Sequence, residues 1–246
     1  MLMLTANPRR VTRCLALAVI AMTAASVLAQ WVRLRSTSEP IRAVASIFKL
    51  SAEGTIPAFF SAAALLASAA LLWVNARAAA QDGRPFVRHW RWLAIVFLYL
   101  SIDEAVSIHE LAIDPMRRLL GDTAHGVLHF AWVVPGMAVV LAMGLTYLRF
   151  LLHLPRRVRI GVAVAGVMYV GGALGMEMLG GYVAERTGTE TIPYALIALV
   201  EEFMEMMGVV LFIDALLAHL GTCTGELRVA LAGARVASPL AGRAPG

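Results

Sequence analysis

The sequence predicts an all-α membrane protein, a polytopic bundle of six transmembrane helices, or five if the first is removed as a signal peptide. Three observations predict this class: 60% of the 246 residues are hydrophobic and only 15% are charged, the mean hydropathy is +0.76, and the apolar residues form long runs. A helix needs about 20 mostly apolar residues to cross ~30 Å of hydrocarbon. Soluble domains carry about 25% charged residues and lack such runs, which excludes an ordinary soluble globule.

The apolar residues fall into six runs, at 14–32, 55–74, 92–110, 124–148, 160–183 and 192–217. The first run fits either a spanning helix or a signal peptide cleaved after Ala29, because PRRVTR precedes it and VLA ends it. The later five runs have the same orientation in both cases. Residues 1–13 are therefore either a cytoplasmic N-terminus or the start of a signal peptide.

Two connecting segments have distinct compositions. The first loop contains IRAVASIFKL, whose apolar residues recur every three to four positions, and this spacing predicts a short interfacial helix outside the membrane. Residues 221–246 are rich in Gly, Ala, Pro and Arg, which predicts a disordered cytoplasmic tail.

The basic residues predict the orientation and the location. Two thirds of the 21 Lys and Arg residues lie in the N-terminus, the second and fourth loops and the tail. By the positive-inside rule, both termini face the cytoplasm of a bacterial inner membrane if the first span is retained. The net charge of +5 comes from residues that flank apolar runs, so the expected partner is the lipid bilayer and not nucleic acid.

The third run, WLAIVFLYLSIDEAVSIHE, carries acids inside the membrane. Asp103 and Glu104 lie within it, and His109 and Glu110 lie toward its outer end. On one continuous helix, Asp103 and Glu110 fall within about 60° of each other, whereas His109 points about 120° away from Asp103. We therefore expect His109 at the edge of any site, or against a neighbouring helix.

The fourth and fifth runs carry further polar residues. His125 and His129, in HGVLHF, are four apart and stack on one helix face, the spacing by which one helix offers two imidazoles to a metal. Glu177 lies in GGALGMEMLGG beside Gly171 and Gly175, a GxxxG pair that predicts close approach of another helix.

The sixth run places three acids, Glu201, Glu202 and Glu205, within an arc of about 100°. Counting inward at 1.5 Å per residue puts the acids of the third, fifth and sixth runs about 9–20 Å below the outer surface. A charged residue at mid-membrane costs ~2.5–3.5 kcal/mol, and the last four runs contain no Lys or Arg. The expected counter-charge is therefore protons or a bound cation.

Two segments carry a resemblance. SIDEAVSIHE together with VEEFMEMMGVVLFIDALL resembles a group of bacterial membrane proteins with SLDE…IHE and EExxE…G segments. The resemblance covers residues 92–217 and implies the membrane class, with no established activity. The inventory of carboxylates and histidines also resembles that of carboxylate-bridged dimetal proteins.

The leading interpretation is a metal site in the outer half of the bilayer. The predicted ligands are Glu104, His125, His129, Glu177, Glu201 and Glu205. The predicted catalytic residues, which donate protons or orient ligands, are Asp103, His109, Glu110 and Glu202. Carboxylates mixed with imidazole suit iron, manganese or zinc. Iron would support oxidation of a lipid-soluble substrate, and zinc would support hydrolysis.

Three alternatives remain. The same acids suit a proton- or cation-coupled transporter, in which Asp214 and His219 would continue a route inward, although the inner halves of the third to fifth runs are mostly apolar. The second alternative is a haem b protein in which His109 and His129 ligate the haem. The third is a structural role, in which the same acids are protonated and form a hydrogen-bonded network between helices.

Overall fold

The computed structural model describes residues 8–50 and 54–224, and within these ranges the chain forms helices and no strands. The helices are α1 (Pro8–Arg35), α2 (Glu39–Ser46), α3 (Ile56–Gln81), α4 (Val87–Val106), α5 (Ile113–Leu120), α6 (Val133–His153), α7 (Arg156–Val170), α8 (Glu177–Thr187) and α9 (Ile192–Thr224). A π-helical segment, Gly171–Met176, joins α7 to α8. The predicted disordered tail lies outside the described residues from 225 onward.

Four helical stretches of the described chain are long and apolar enough to cross a membrane. They are Pro8–Arg33, Ile56–Gln81, Val133–His153 and the continuous stretch Arg156–Thr187. A fifth is possible only as a bent pair, Val87–Val106 with Ile108–Thr123, whose axes differ by 83°. The fold class is therefore all-α as predicted, but the count of six spans is not confirmed.

The third apolar run is not the single straight helix that its hydropathy predicts. α4 ends at Val106, and Ser107 adopts a left-handed conformation with φ 48° and ψ 49°. The side chain of Asp103 then accepts the backbone N–H of His109 at 2.7 Å. This bond gives the freed backbone a partner, so the chain can turn sharply at membrane depth.

The fourth run also differs from the prediction, because its helix begins at Val133. His125 is extended, and a short 3-10 turn, Gly126–Leu128, separates it from His129. Gly126 has a φ of 61°, and its backbone N–H donates to Glu185 at 2.5 Å. The prediction that His125 and His129 stack on one α-helix face is therefore wrong.

α9 is the central helix of the bundle and contacts α1, α3, α7 and α8. Its inward side chains, including Met206, Val210 and Leu216, are almost completely buried. α3 and α4 pack against each other beside it. By contrast, α6 exposes most of its apolar surface, with Leu141 at 65% and Leu145 at 69%. Such outward apolar faces suit contact with lipid and indicate a membrane protein.

Close helix approach occurs at one glycine of the predicted GxxxG pair and at two others. A Cβ at Gly171 would lie 3.1 Å from Cε of Met204 on α9, whereas Gly175 has open space around it. A Cβ at Gly172 would lie 2.9 Å from the carbonyl oxygen of Glu201, and one at Gly208 of α9 would lie 2.8 Å from the backbone nitrogen of Tyr169 on α7. The predicted close approach therefore exists at Gly171 but not at Gly175.

Candidate functional site

The end of α4, the start of α8 and the first half of α9 bring six carboxyl groups together. This carboxyl cluster consists of Asp103, Glu104, Glu177, Glu201, Glu202 and Glu205. Glu202 interacts electrostatically with Glu104 and Glu177. Glu205 interacts with Glu202, Glu104, Glu177 and Asp103. All six side chains belong to half-buried residues. Residues up to 102 positions apart in the sequence thus meet in one region.

Two members of the cluster, Glu177 and Glu201, are near neighbours. Their carboxyl groups lie close enough to interact electrostatically. The indole Nε1–H of Trp132 donates to Oε1 of Glu177 at 2.9 Å. Because two ionised carboxylates repel each other in half-buried surroundings, this pair favours a shared proton or a cation between the two groups.

The break after α4 brings His109 to Asp103, which corrects the expectation that the two point apart. Nδ1 of His109 lies 2.9 Å from Oδ2 of Asp103, in addition to the backbone bond to Oδ1. The imidazole also packs against Trp132, with ring centroids 4.6 Å apart. A continuous series of contacts therefore runs from Asp103 through His109 and Trp132 to Glu177.

Glu104 and Glu110 occupy different surroundings. Glu104 lies close to Ser61 of α3, and Ser61 is buried. Glu110 is exposed and interacts electrostatically with His109. Glu104 thus belongs to the interior of the cluster and Glu110 to its rim.

The structure places His125 and His129 in a separate group. Nδ1 of His125 lies 2.7 Å from Oε1 of Glu185, and the charged neighbours of His129 are Arg117, Glu185 and His125. Burial and then the positive charge of Arg117 lower the pKa of His129, which favours its neutral form. Neither histidine has a recorded contact with the carboxyl cluster in the described part of the chain.

Sequence reasoning missed four residues that lie next to the cluster. Trp132 donates the hydrogen bond described above, and Ser61 lies close to Glu104. Tyr169 interacts electrostatically with Glu205 and Glu104, and Tyr194 interacts with Glu177 and Glu201. A buried Trp or Tyr needs a partner for its polar atom, which is the one signal that could have identified Trp132 and the tyrosines.

Buried polar side chains also line one face of α3. Ser61, Ser68 and Asn75 recur every seven residues, and all three are buried. Oδ1 of Asn75 lies 2.5 Å from Nδ1 of His219 on α9. From Ser61 to Asn75 the helix rises about 21 Å, so this polar face extends from the level of Glu104 to that of His219. His219 is itself buried, not at a helix boundary in contact with solvent.

A preformed metal site is absent among the described residues, since no three His, Cys, Asp or Glu side chains converge closely enough to hold an ion. The carboxyl cluster therefore offers the right donor atoms without a ready coordination geometry. Binding a metal would require its side chains to turn toward a common centre.

The fold and the cluster define a helical membrane protein with an acidic centre inside its bundle. The chain belongs to the family DUF8692, a domain of unknown function, which matches residues 13–220. This match is consistent with the resemblance of the SIDEAVSIHE and VEEFMEMMG segments to a group without an established activity. No match was found among curated proteins or among solved structures.

Proposed function

We propose that the protein is an integral membrane protein whose carboxyl cluster binds a divalent metal ion in exchange for protons. The observation that carries this proposal is the convergence of six carboxyl groups from three helices, one of which, Glu177, accepts a hydrogen bond from Trp132 at 2.9 Å. No cluster carboxyl forms an ion pair with Lys or Arg in the described residues. The neutralising charge must therefore come from protons or from a cation.

Protons account for the arrangement as it stands. A proton between Glu177 and Glu201 turns repulsion into a hydrogen bond, and Trp132 supports one oxygen of the pair. When a metal binds, carboxyl ligands must be ionised, so metal uptake releases protons. Release of the shared proton frees both side chains to turn toward the ion.

The proposed ligands are the glutamates Glu104, Glu177, Glu201 and Glu205, with iron, manganese or zinc as the ion. Asp103, His109, Glu110 and Glu202 are proposed to accept and return the displaced protons. His125 and His129 are left out of the ligand set because they lie with Glu185. Bound iron or manganese would support oxidation, and zinc hydrolysis, of a lipid-soluble substrate.

The test is metal binding by the detergent-purified full chain, followed by elemental analysis and by proton release on adding each metal. We expect stoichiometric metal in the wild type and at least tenfold weaker binding, roughly, in Glu201→Gln. His129→Ala should bind like the wild type. Glu39→Gln is the matched control, because the Glu39 side chain is 86% exposed.

Two results would contradict the proposal. One is substoichiometric metal in the wild type without proton release. The other is equal metal content in Glu201→Gln and Glu39→Gln. If His129→Ala loses the metal and Glu201→Gln keeps it, the metal binds at His125, His129 and Glu185 and not at the carboxyl cluster.

A second candidate is proton- or cation-coupled transport, favoured by the polar face of α3 that extends from the level of Glu104 to Asn75 and His219. In proteoliposomes with an imposed pH gradient, Asn75→Leu should then slow proton flux while leaving metal content unchanged. Ser26→Ala, a buried serine on α1, is the control. Flux that is equal in both variants and in empty liposomes would exclude this candidate.

A further inference from the structure

A cavity of about 370 Å³ lies between the end of α1, α2 and the start of α9. Among the described residues, three basic side chains, Arg33, Arg42 and Lys49, line it, against one acid, Glu190. The volume falls in the range of small-ligand sites, about 300–1,000 Å³. A cavity with this excess of positive charge favours an anionic group.

The basic side chains are available to a ligand. Arg42 forms an exposed ion pair with Glu39, with Nη1 of Arg42 3.8 Å from Oε1 of Glu39. Within the described ranges, neither Arg33 nor Lys49 forms an ion pair. Nη1 of Arg33 donates to Oε1 of Gln30 at 3.0 Å, and Gln30 also lines the cavity. This bond holds the guanidinium in place without neutralising its charge.

The rest of the lining is apolar and faces outward. Val27 and Trp31 of α1 and Leu196 of α9 line the cavity and are 50%, 54% and 56% exposed. They lie on helical faces that suit contact with lipid. A ligand that matches both parts has an anionic head and a hydrocarbon tail.

We propose that this cavity binds the headgroup of an anionic phospholipid, with its acyl chains along the outer faces of α1 and α9. Guanidinium and ammonium groups bind phosphate oxygens through charge-assisted hydrogen bonds. Arg33 lies in the last turn of α1, Arg42 belongs to α2 and Lys49 follows α2. The segment that joins α1 to α3 thus supplies most of the headgroup site.

The cavity adjoins the carboxyl cluster through one residue. Tyr194 lines the cavity and interacts electrostatically with Glu177 and Glu201. The anionic phospholipid is therefore also the class of lipid-soluble substrate that can reach the cluster. This last step rests on the proposed function, whereas lipid binding itself does not.

The experiment measures lipid retention by the full chain in micelles that contain equal amounts of phosphatidylglycerol and phosphatidylcholine, using native mass spectrometry. The wild type should retain phosphatidylglycerol selectively. Removing two basic groups in Arg33→Gln/Lys49→Gln should reduce that retention about tenfold to thirtyfold. The control is Arg88→Gln/Arg118→Gln, which removes the same charge from exposed positions outside the cavity.

The possible outcomes separate the sources of the anion. Equal retention of both lipids by the wild type, or equal loss in both double variants, overturns the proposal. Displacement of phosphatidylglycerol by millimolar inorganic phosphate would show a site for free phosphate and also overturn it. The proposal is supported if the wild type and the control variant retain phosphatidylglycerol selectively, Arg33→Gln/Lys49→Gln loses it, and inorganic phosphate does not displace it.

The result is independent of metal binding. If Arg33→Gln/Lys49→Gln loses phosphatidylglycerol and keeps its metal, the headgroup site stands by itself. If Glu201→Gln loses metal and keeps phosphatidylglycerol, the two sites are distinct but adjacent. If no variant binds metal, the proposed function fails while lipid retention still decides the headgroup site.

Discussion

Trp132 connects two parts of the site that are distant in the chain. Its indole donates to Glu177, 45 residues later, and its ring packs against His109. In the sequence, this tryptophan lies inside the apolar run 124–148, where an aromatic side chain commonly serves helix packing. The residue type was therefore compatible with a role outside the site, and only the fold shows its hydrogen bond.

The first prediction concerns this bond. Trp132→Phe keeps an aromatic ring beside His109 but leaves Glu177 without its indole donor. We expect the free energy of unfolding to fall by about 1–3 kcal/mol, the usual cost of an unmade hydrogen bond at a buried group. Denaturant unfolding in micelles measures it. Trp73→Phe, at a position that is 45% exposed, should change stability by much less, and equal losses would contradict the role of the bond.

The acids of the cluster were the easier residues to predict. A carboxyl group in an apolar run is costly wherever the helix packs, so its presence alone indicates a buried polar site. The histidines were harder to predict, since the spacing of His125 and His129 places both on one face only if the segment is an α-helix. Gly126, with its positive φ and its hydrogen bond to Glu185, interrupts the segment, so the two histidines do not share a helix face.

At the level of helices, the interruptions occur next to the cluster. α4 ends three residues after Asp103, and the π-helical segment ends immediately before Glu177. Interruptions of this kind are frequent at functional sites because they redirect side chains that a regular helix would point elsewhere. Hydropathy averages over about 20 residues, so it located both runs but not their interruptions.

The packing of α7 on α9 gives a second prediction. Gly208→Ala would put a Cβ 2.8 Å from the backbone nitrogen of Tyr169, so the helices must separate. We expect a loss of about 1–3 kcal/mol in the free energy of unfolding. Gly166→Ala, in α7 with nothing within 4 Å, should instead gain about 0.5–1 kcal/mol from helix propensity. Thermal unfolding in micelles compares them, and changes of the same sign would contradict this packing.

For the whole molecule, the charge distribution predicts the orientation in the membrane. In a variant without Cys14 and Cys223, we introduce Asp82→Cys, after α3, or Asp122→Cys, after α5. Asp122→Cys should react with an impermeant maleimide in intact cells, whereas Asp82→Cys should react only after permeabilisation. The reverse labelling pattern would mean that the topology is inverted. If both cysteines react in intact cells, α4 and its bent continuation do not cross the membrane.

The sequence by itself determined the helical membrane class, the approximate location of the long helices and the identity of the acids inside them. These follow from local properties, since hydropathy and the cost of a buried charge depend on a residue and its near neighbours. It did not determine the number of crossings, because the break at Ser107 turns one apolar run into a bent pair.

Only the tertiary structure decided which polar groups meet. The hydrogen bond from Trp132 to Glu177, the packing of His109 on Trp132, the pairing of His125 with Glu185 and the basic cavity beside Tyr194 each join separate segments. Such contacts depend on how helices cross and where they break. A single sequence carries no direct record of either, because side-chain spacing fixes neighbours along one helix and not between two.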